Sequence, residues 1–231
     1  MILAVTGLQR ERRILAGPGI EAVASGGDQA GLEGALDRLA PGMRGIISIG
    51  IAGALAPHLR PGRWVVATAV HDAMHGDGRS LPTDPDWTKR LVSRLPATES
   101  GVLLGVDAVA ATAREKAELR RTSNAIAVDM ESHVAARIAR HHDLPFVAAR
   151  VISDAAHRTL PPAALVGMRS DGSVDVPAVL RSLLSAPWQI PALIRTGLEA
   201  ETAFRALLRG HRLLGARLGG PDVGKLPADM V

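Results

Sequence analysis

Residues 125 to 139 read AIAVDMESHVAARIA. The run 125–130 has strand length and ends on two carboxylates, Asp129 and Glu131, on either side of Met130. From residue 131 to 142 the pattern turns helical, with Val134, Ala135, Ile138 and His142 near one face and Arg137 and Arg140 elsewhere. Pro145 blocks further helix, and FVAARVIS (146–153) resumes strand character at once. Strand, helix and strand in direct succession form the repeating unit of α/β folds.

Working outward, the runs ILAVT (2–6), GIISIG (45–50), RWVVATAV (63–70) and GVLLGV (101–106) are further buried strands by the same reading. Continuous apolar runs bounded by Gly or Pro suit a sheet covered on both faces. Helical patterns fill 31–39, 84–95 and 112–121 between them. The expectation is an α/β fold with a largely parallel or mixed sheet. A chain of 231 residues, 47% hydrophobic and 22% charged, has the material for one sizeable core. Residues 1–175 are read as the core, 176–215 as a helical extension of the same domain, and 216–231 as a flexible tail.

The extension contains PWQIPALIRTGLEAETAFRALLRGHRLLG (187–215), with Leu193, Ile194, Leu198, Phe204, Leu207 and Leu208 at mostly helical spacing among Arg195, Arg205, Arg209 and Arg212. Such an amphipathic segment packs against its own domain or a second subunit, or it lies in a membrane interface.

Bulk properties remove several function classes. A net charge of +4 with interspersed charges and 2% aromatic residues gives nucleic acid little to bind or stack on. The absence of cysteine excludes disulfides, thiolate metal sites and a thiol nucleophile, and fits a cytoplasmic location. The N-terminal apolar run precedes its basic residues, the reverse of a secretory signal, and no run approaches the roughly 18 apolar residues of a bilayer span.

In open α/β sheets ligands collect at the carboxyl ends of strands. Three polar clusters occupy such ends here: GIAG (50–53), DMES (129–132) and SDAAH (153–157). An acidic residue in a first helical turn also serves as a cap, so DMES alone decides nothing. A further carboxylate, Asp154, at the end of the next strand changes this, because one carboxylate can hold hydroxyls while another moves a proton. GIAG permits close backbone approach to a ligand or anion but is equally ordinary turn chemistry, and it lacks the dinucleotide fingerprint. His71 and His75 have zinc-like spacing without the glutamate that a zinc helix needs, His141 and His142 read as helix C-terminal charges, and no metal is expected. No Gly-x-Ser-x-Gly elbow occurs.

AIAVDMES followed by LPFVAARVISDAAH, together with SIGIAGAL and LLGVDAV, resembles the purine nucleoside phosphorylase and methylthioadenosine/S-adenosylhomocysteine nucleosidase superfamily, from the first strand to about residue 165. GIAG and the Arg- and Leu-rich extension look closest to the hopanoid-associated phosphorylases. The resemblance implies a single-domain, three-layer nucleoside-phosphorylase-like fold with a central mixed sheet flanked by helices, plus the C-terminal helical extension. It implies a homodimer and no cofactor, with phosphate as co-substrate where the reaction is a phosphorolysis.

By the same resemblance, Glu131 accepts hydrogen bonds from the ribose 2′ and 3′ hydroxyls, Met130 packs on the sugar, and Asp154 protonates N7 of adenine. Ser153, Ala52 and Gly53 complete the substrate contacts, and Arg12, Gly50 and Ile51 stand at the phosphate or nucleophile. The glutamate that activates water in nucleosidases aligns with Arg12, which suits phosphate better and leans the reading toward phosphorolysis. A shift of one residue restores Glu11 to that catalytic role.

Ile51 replaces a serine of relatives, and the aromatic residue that stacks on the purine is replaced near Thr122, which leaves aliphatic walls and backbone groups for the base. The narrower match implies adenosylhopane as substrate, a nucleoside linked to a triterpenoid, with 187–214 in peripheral contact with anionic membranes. The alternatives are a methylthioadenosine/S-adenosylhomocysteine nucleosidase or another purine nucleoside phosphorylase, and a nucleoside-binding protein without catalysis.

Overall fold

The apolar runs assemble into one mixed sheet. The computed structural model describes residues 1–74, 80–166 and 175–221. Its strands are β1 (Ile2–Thr6), β2 (Ile20–Ala24), β3 (Ile46–Ala54), β4 (Trp64–Asp72), β5 (Ser80–Pro82), β6 (Thr98–Gly105), β7 (Ala127–Asp129) and β8 (Phe146–Asp154). The helices are α1 (Gln9–Leu15), α2 (Gln29–Leu39), α3 (Pro85–Arg94), α4 (Ala113–Ser123), α5 (Ser132–His141), α6 (Pro162–Leu165), α7 (Val176–Ser185) and α8 (Ile190–Leu214).

The strand order is β2-β1-β3-β7-β6-β4-β5, and β8 pairs with both β3 and β4. That double pairing closes β3, β7, β6, β4 and β8 into a ring in which β8 is paired on both sides. β8 runs parallel to β3 and antiparallel to β4, while β7 runs antiparallel to β3 and parallel to β6. All nine residues of β8 are buried, as suits a strand paired on both sides and covered on both faces.

Helices cover the sheet in two layers. On one side Leu32 and Leu36 of α2 and Val134, Ala135 and Ile138 of α5 share a core with Val65, Ala148 and Ile152. On the other, Leu15 of α1, Trp87 and Leu91 of α3 and Ala203, Leu207 and Leu214 of α8 pack on Ile47, Ile49 and Val151. Helix starts follow their sequence signals. The Asp84 carboxylate accepts from Trp87 N at 2.7 Å ahead of Pro85, and Thr112 with Glu115 forms a capping box on α4.

α1, β2 and β5 are absent from the sequence reading: the strands are short, and β2 carries a Glu in its apolar run. GIAG is strand rather than turn. β3 continues through it to Ala54, with a register shift between Ala52 and Gly53 where Gly53 comes to lie opposite Asp154. The segment read as a flexible tail begins as an anchored turn. The Leu218 carbonyl accepts from Trp87 Nε1 at 2.9 Å and the Gly219 carbonyl from Arg90 Nε at 2.8 Å; the rest of the tail lies outside the described residues.

Two glycines of α8 separate helix propensity from packing. A Cβ at Gly197 meets nothing within 4 Å, whereas one at Gly210 would lie 2.3 Å from Trp64 Cζ2. Gly197→Ala should stabilise the fold by about 0.5–1 kcal/mol, since the helix gains rigidity at no steric cost. Gly210→Ala should destabilise it by about 1–3 kcal/mol through overpacking, so chemical denaturation should move the two midpoints in opposite directions.

Candidate functional site

The carboxyl ends of β1, β3, β7 and β8 converge on a cavity of about 240 Å³. Its chemistry is organised by Arg150, a fully buried residue in the middle of β8. The Arg150 guanidinium meets Asp129 Oδ2 at 2.5 Å through Nε and Glu131 Oε2 at 3.2 Å through Nη2, and Nη2 donates to Ser48 Oγ at 2.5 Å. A buried cation needs such partners, and here they come from the strand–helix junction at 129–131.

Asp129 and Glu131 divide the work. Asp129 Oδ1 accepts from Ser132 N at 3.3 Å and Oδ2 from the Ser132 hydroxyl, so both of its oxygens serve the start of α5 and Arg150. Glu131 occupies the N-cap position of α5 yet makes no side-chain capping bond. Its carboxylate turns to the pocket instead, where Oε1 accepts from Ser25 Oγ at 2.8 Å. Gly7 makes room for it: a Cβ there would stand 2.9 Å from Glu131 Oε1.

Glu11 enters from α1. Its Oε2 accepts from Gly7 N at 2.8 Å and Leu8 N at 2.7 Å, and its Oε1 accepts from Ile51 N at 2.6 Å. A Cβ at Gly50 would sit 2.5 Å from Glu11 Oε1 and 2.9 Å from Arg150 Nη1, which ties that glycine to the approach of a carboxylate. Arg12, one residue on, is exposed and donates from Nε to the Ala22 carbonyl at 2.9 Å, outside the pocket lining. Of the nucleophile-side residues expected from the sequence, Arg12 is therefore absent from the cavity, Gly50 lies behind Glu11, and the Ile51 amide is already taken by Glu11.

Asp154 closes the opposite wall at the end of β8. Its Oδ1 lies 2.6 Å from Ser153 Oγ, which also donates to the Ala52 carbonyl at 3.1 Å, and its Oδ2 pairs with the buried Lys116 ammonium of α4. Met130, Ser153, Ala52 and Gly53 all line the cavity. Between the polar groups the walls are aliphatic, with Ile51, Val106, Val128 and Leu160, and no aromatic side chain lines the cavity among the described residues. Thr122 lies on α4 outside the lining, its hydroxyl bonded to the Glu118 carbonyl at 3.0 Å. The C-terminal extension is part of the site, because Thr196 and Ala200 of α8 form one side of it.

The reading of strand ends thus reached Glu131 and Asp154 but passed over Arg150, Lys116 and Ser25. A signal for Arg150 was present: a lone charge inside an apolar run long enough to be a central strand has to be paired. His75 lies outside the described residues. Among the described residues, Asp37, His141 and His142 bring possible ligand atoms within 4.8 Å of one another, but away from the cavity, with His142 Nε2 bonded to Asp37 Oδ1 at 2.8 Å.

Three carboxylates around one guanidinium leave the cluster with excess negative charge. Burial pushes the Glu131 carboxyl up to about 7, against the Arg150 charge and with help from Asp129 and Glu11. Burial raises Glu11 as well, opposed by Arg150 and by the three amide hydrogens that it accepts. For Arg150 burial works against the charge, but Asp129, Glu131 and Glu11 outweigh it and hold the proton more firmly.

Glu131 therefore binds its proton more tightly folded than unfolded. Its share of stability is complete below about pH 4.5 and is lost as pH rises through about 7. The Tm of the native protein should fall across this window more steeply than that of Glu131→Gln; parallel Tm–pH curves would refute the assignment.

A model of the phosphorylase superfamily matches residues 8–184. No curated protein matches the sequence. Among solved structures, the 5′-methylthioadenosine/S-adenosylhomocysteine nucleosidase of Streptococcus pneumoniae, with a transition-state inhibitor, is similar at a TM-score of 0.60 and 15% identity, covering 90% of this chain and 98% of that one. The corresponding nucleosidase of Helicobacter pylori gives 0.61 and 17%, covering 91% and 97%. Futalosine hydrolase of Helicobacter pylori gives 0.59 and 17%, covering 80% and 97%. At such identities the structures speak for a shared fold, while the family match spans most of the sequence from α1 to α7: the chain belongs to the phosphorylase superfamily.

Proposed function

We propose that this protein cleaves the N-glycosidic bond of a purine nucleoside and releases the base. The observation that carries the reading is the placement of three buried carboxylates around one aliphatic cavity: Glu131 free of helix capping, Asp154 across from it, and Glu11 beside both Arg150 and Ile51. Glu131 accepts the ribose 2′ and 3′ hydroxyls and Met130 packs on the sugar. Asp154 gives its proton to N7 as the C1′–N9 bond breaks and its electron pair passes to the base. Aliphatic walls and the backbone of Ala52 and Gly53 flank the purine.

Water fits the remaining role better than phosphate. It adds its oxygen to C1′ and loses a proton to Glu11, whose burial-raised carboxyl suits a general base. A phosphate dianion would enter a cluster already rich in negative charge, with the Ile51 amide occupied and Arg12 turned away. The neighbours similar in fold support this direction: those of Streptococcus pneumoniae and Helicobacter pylori are nucleosidases, and another, from Borrelia burgdorferi, carries adenine.

At the 5′ side we assign a large apolar substituent, of which adenosylhopane is the candidate that the narrower resemblance supplies. Thr196 and Ala200 of α8 line the cavity, while Ile194 and Leu198, on the face of the helix turned away from them, are 59% and 65% exposed, and Leu184 and Trp188 before them are 86% and 76% exposed. These exposed apolar side chains suit contact with an anionic bilayer through 187–214, while no described helix is long and apolar enough to cross a membrane.

Purified protein should release adenine from adenosylhopane, and more slowly from methylthioadenosine, without added phosphate; an absolute phosphate requirement would return the nucleophile to phosphate. Asp154→Asn should keep the native circular dichroism and lower kcat by about a hundred- to ten-thousand-fold. Co-sedimentation with anionic liposomes should be lost when Leu184 and Trp188 are replaced by glutamate, and binding that persists in this variant would refute the bilayer contact.

A further inference from the structure

The cavity has a second buried cation, and it serves the opposite wall from Arg150. Lys116 is fully buried in α4, does not line the cavity, and has three acceptors for its three ammonium hydrogens: Asp154 Oδ2, the Ala155 carbonyl at 3.3 Å and the Arg158 carbonyl at 3.1 Å. Its backbone is held as firmly as its head group. The capping box of Thr112 and Glu115 fixes the start of α4, and Leu160 N donates to the Ala111 carbonyl at 2.8 Å, which stitches that start to the segment after β8.

A buried ion pair is a poor device for stability alone, since apolar residues of equal volume commonly serve as well. Its placement on the one carboxylate assigned to the base therefore calls for another explanation. With Oδ2 facing an ammonium, a proton on Asp154 has to reside on Oδ1. Ser153 can accommodate it there: when its hydroxyl donates to the Ala52 carbonyl, its oxygen is free to accept from Oδ1. The same cation stabilises the carboxylate that remains once the proton has left for N7.

We propose that Lys116 is a positioning residue for Asp154, binding one carboxylate oxygen so that the other faces the base, and favouring the anion formed on proton donation. The inference rests on the nucleoside-cleavage reading and adds a residue that touches neither substrate nor nucleophile.

The test compares native protein with Lys116→Met and Lys116→Arg on a nucleoside that the native protein turns over. Lys116→Met should lower kcat at least tenfold with KM little changed, and it should move the alkaline fall of kcat/KM to higher pH, because the acid has lost the cation that favours its anion. Lys116→Arg should restore the native profile in part. An alkaline limb that stays in place, whatever the rate, would reduce Lys116 to a structural tether and overturn the proposal.

Should Lys116→Met fail to fold, native protein alone decides by calorimetry with two base isosteres. If Lys116 fixes Oδ2 so that Oδ1 faces N7, 9-deazaadenine, which presents N7–H, should bind at least tenfold more tightly than 7-deazaadenine, which presents C–H there; equal affinities would overturn the proposal. Native protein that neither turns over a purine nucleoside nor binds either base would remove the functional reading itself, and the role of Lys116 with it.

Discussion

The structure turns on one charge in a place where charge is costly. Arg150 sits at the middle of a nine-residue strand buried along its whole length and is itself fully buried. Carboxylates have to come to it, and they come from separate parts of the chain: Glu11 from the first helix, Asp129 and Glu131 from the β7–α5 junction. Glycines at 7 and 50 let them approach. The polar site is therefore built into the core, since the β1–α1 turn, β3 and the start of α5 all meet beside β8.

Much of this was legible in the sequence, and the parts that were not have physical reasons. Continuous apolar runs identified β1, β3, β4, β6, β7 and β8, because strands covered on both faces leave a strong signature. Glu131 and Asp154 were found because they follow such runs directly. The choice between Glu11 and Arg12 was beyond sequence spacing, yet it is decided by helical geometry. Adjacent residues on a helix point about 100° apart, so one faces the cavity and the other turns out to β2. Lys116 was hidden differently: in the surface-like run AREKAELRR it looks like one more solvated charge, and only the return of the chain after β8 buries it. The glycines of GIAG suggested a turn, whereas they are needed inside a strand because side chains from α1 and β8 crowd against it.

Two buried cations divide the cavity into electrically distinct ends. Arg150 gathers an excess of carboxylates, so its end favours hydroxyl donors and neutral water over anions. Lys116 meets a single carboxylate, so its end is close to neutral. Between them the described lining is mainly aliphatic, with Ile51, Val106, Val128 and Leu160. A ligand suited to this gradient is polar and hydroxylated at one side and a flat heterocycle with one proton-accepting nitrogen at the other, which is the outline of a nucleoside.

α8 behaves as two helices in one. Its later turns, with Ala203, Phe204, Leu207, Gly210 and Leu214, are buried in the core, and Arg10 lies 4.1 Å over the Phe204 ring. Its earlier turns are largely exposed and touch the rest of the molecule mainly at the cavity rim. The fold thus leans on the later turns, whereas in the early ones Thr196 and Ala200 face the cavity and their neighbours face outward. Exchange of the exposed side chains between residues 190 and 198 would recast the outer surface of this helix and leave Arg150, Lys116 and the carboxylates that they hold untouched.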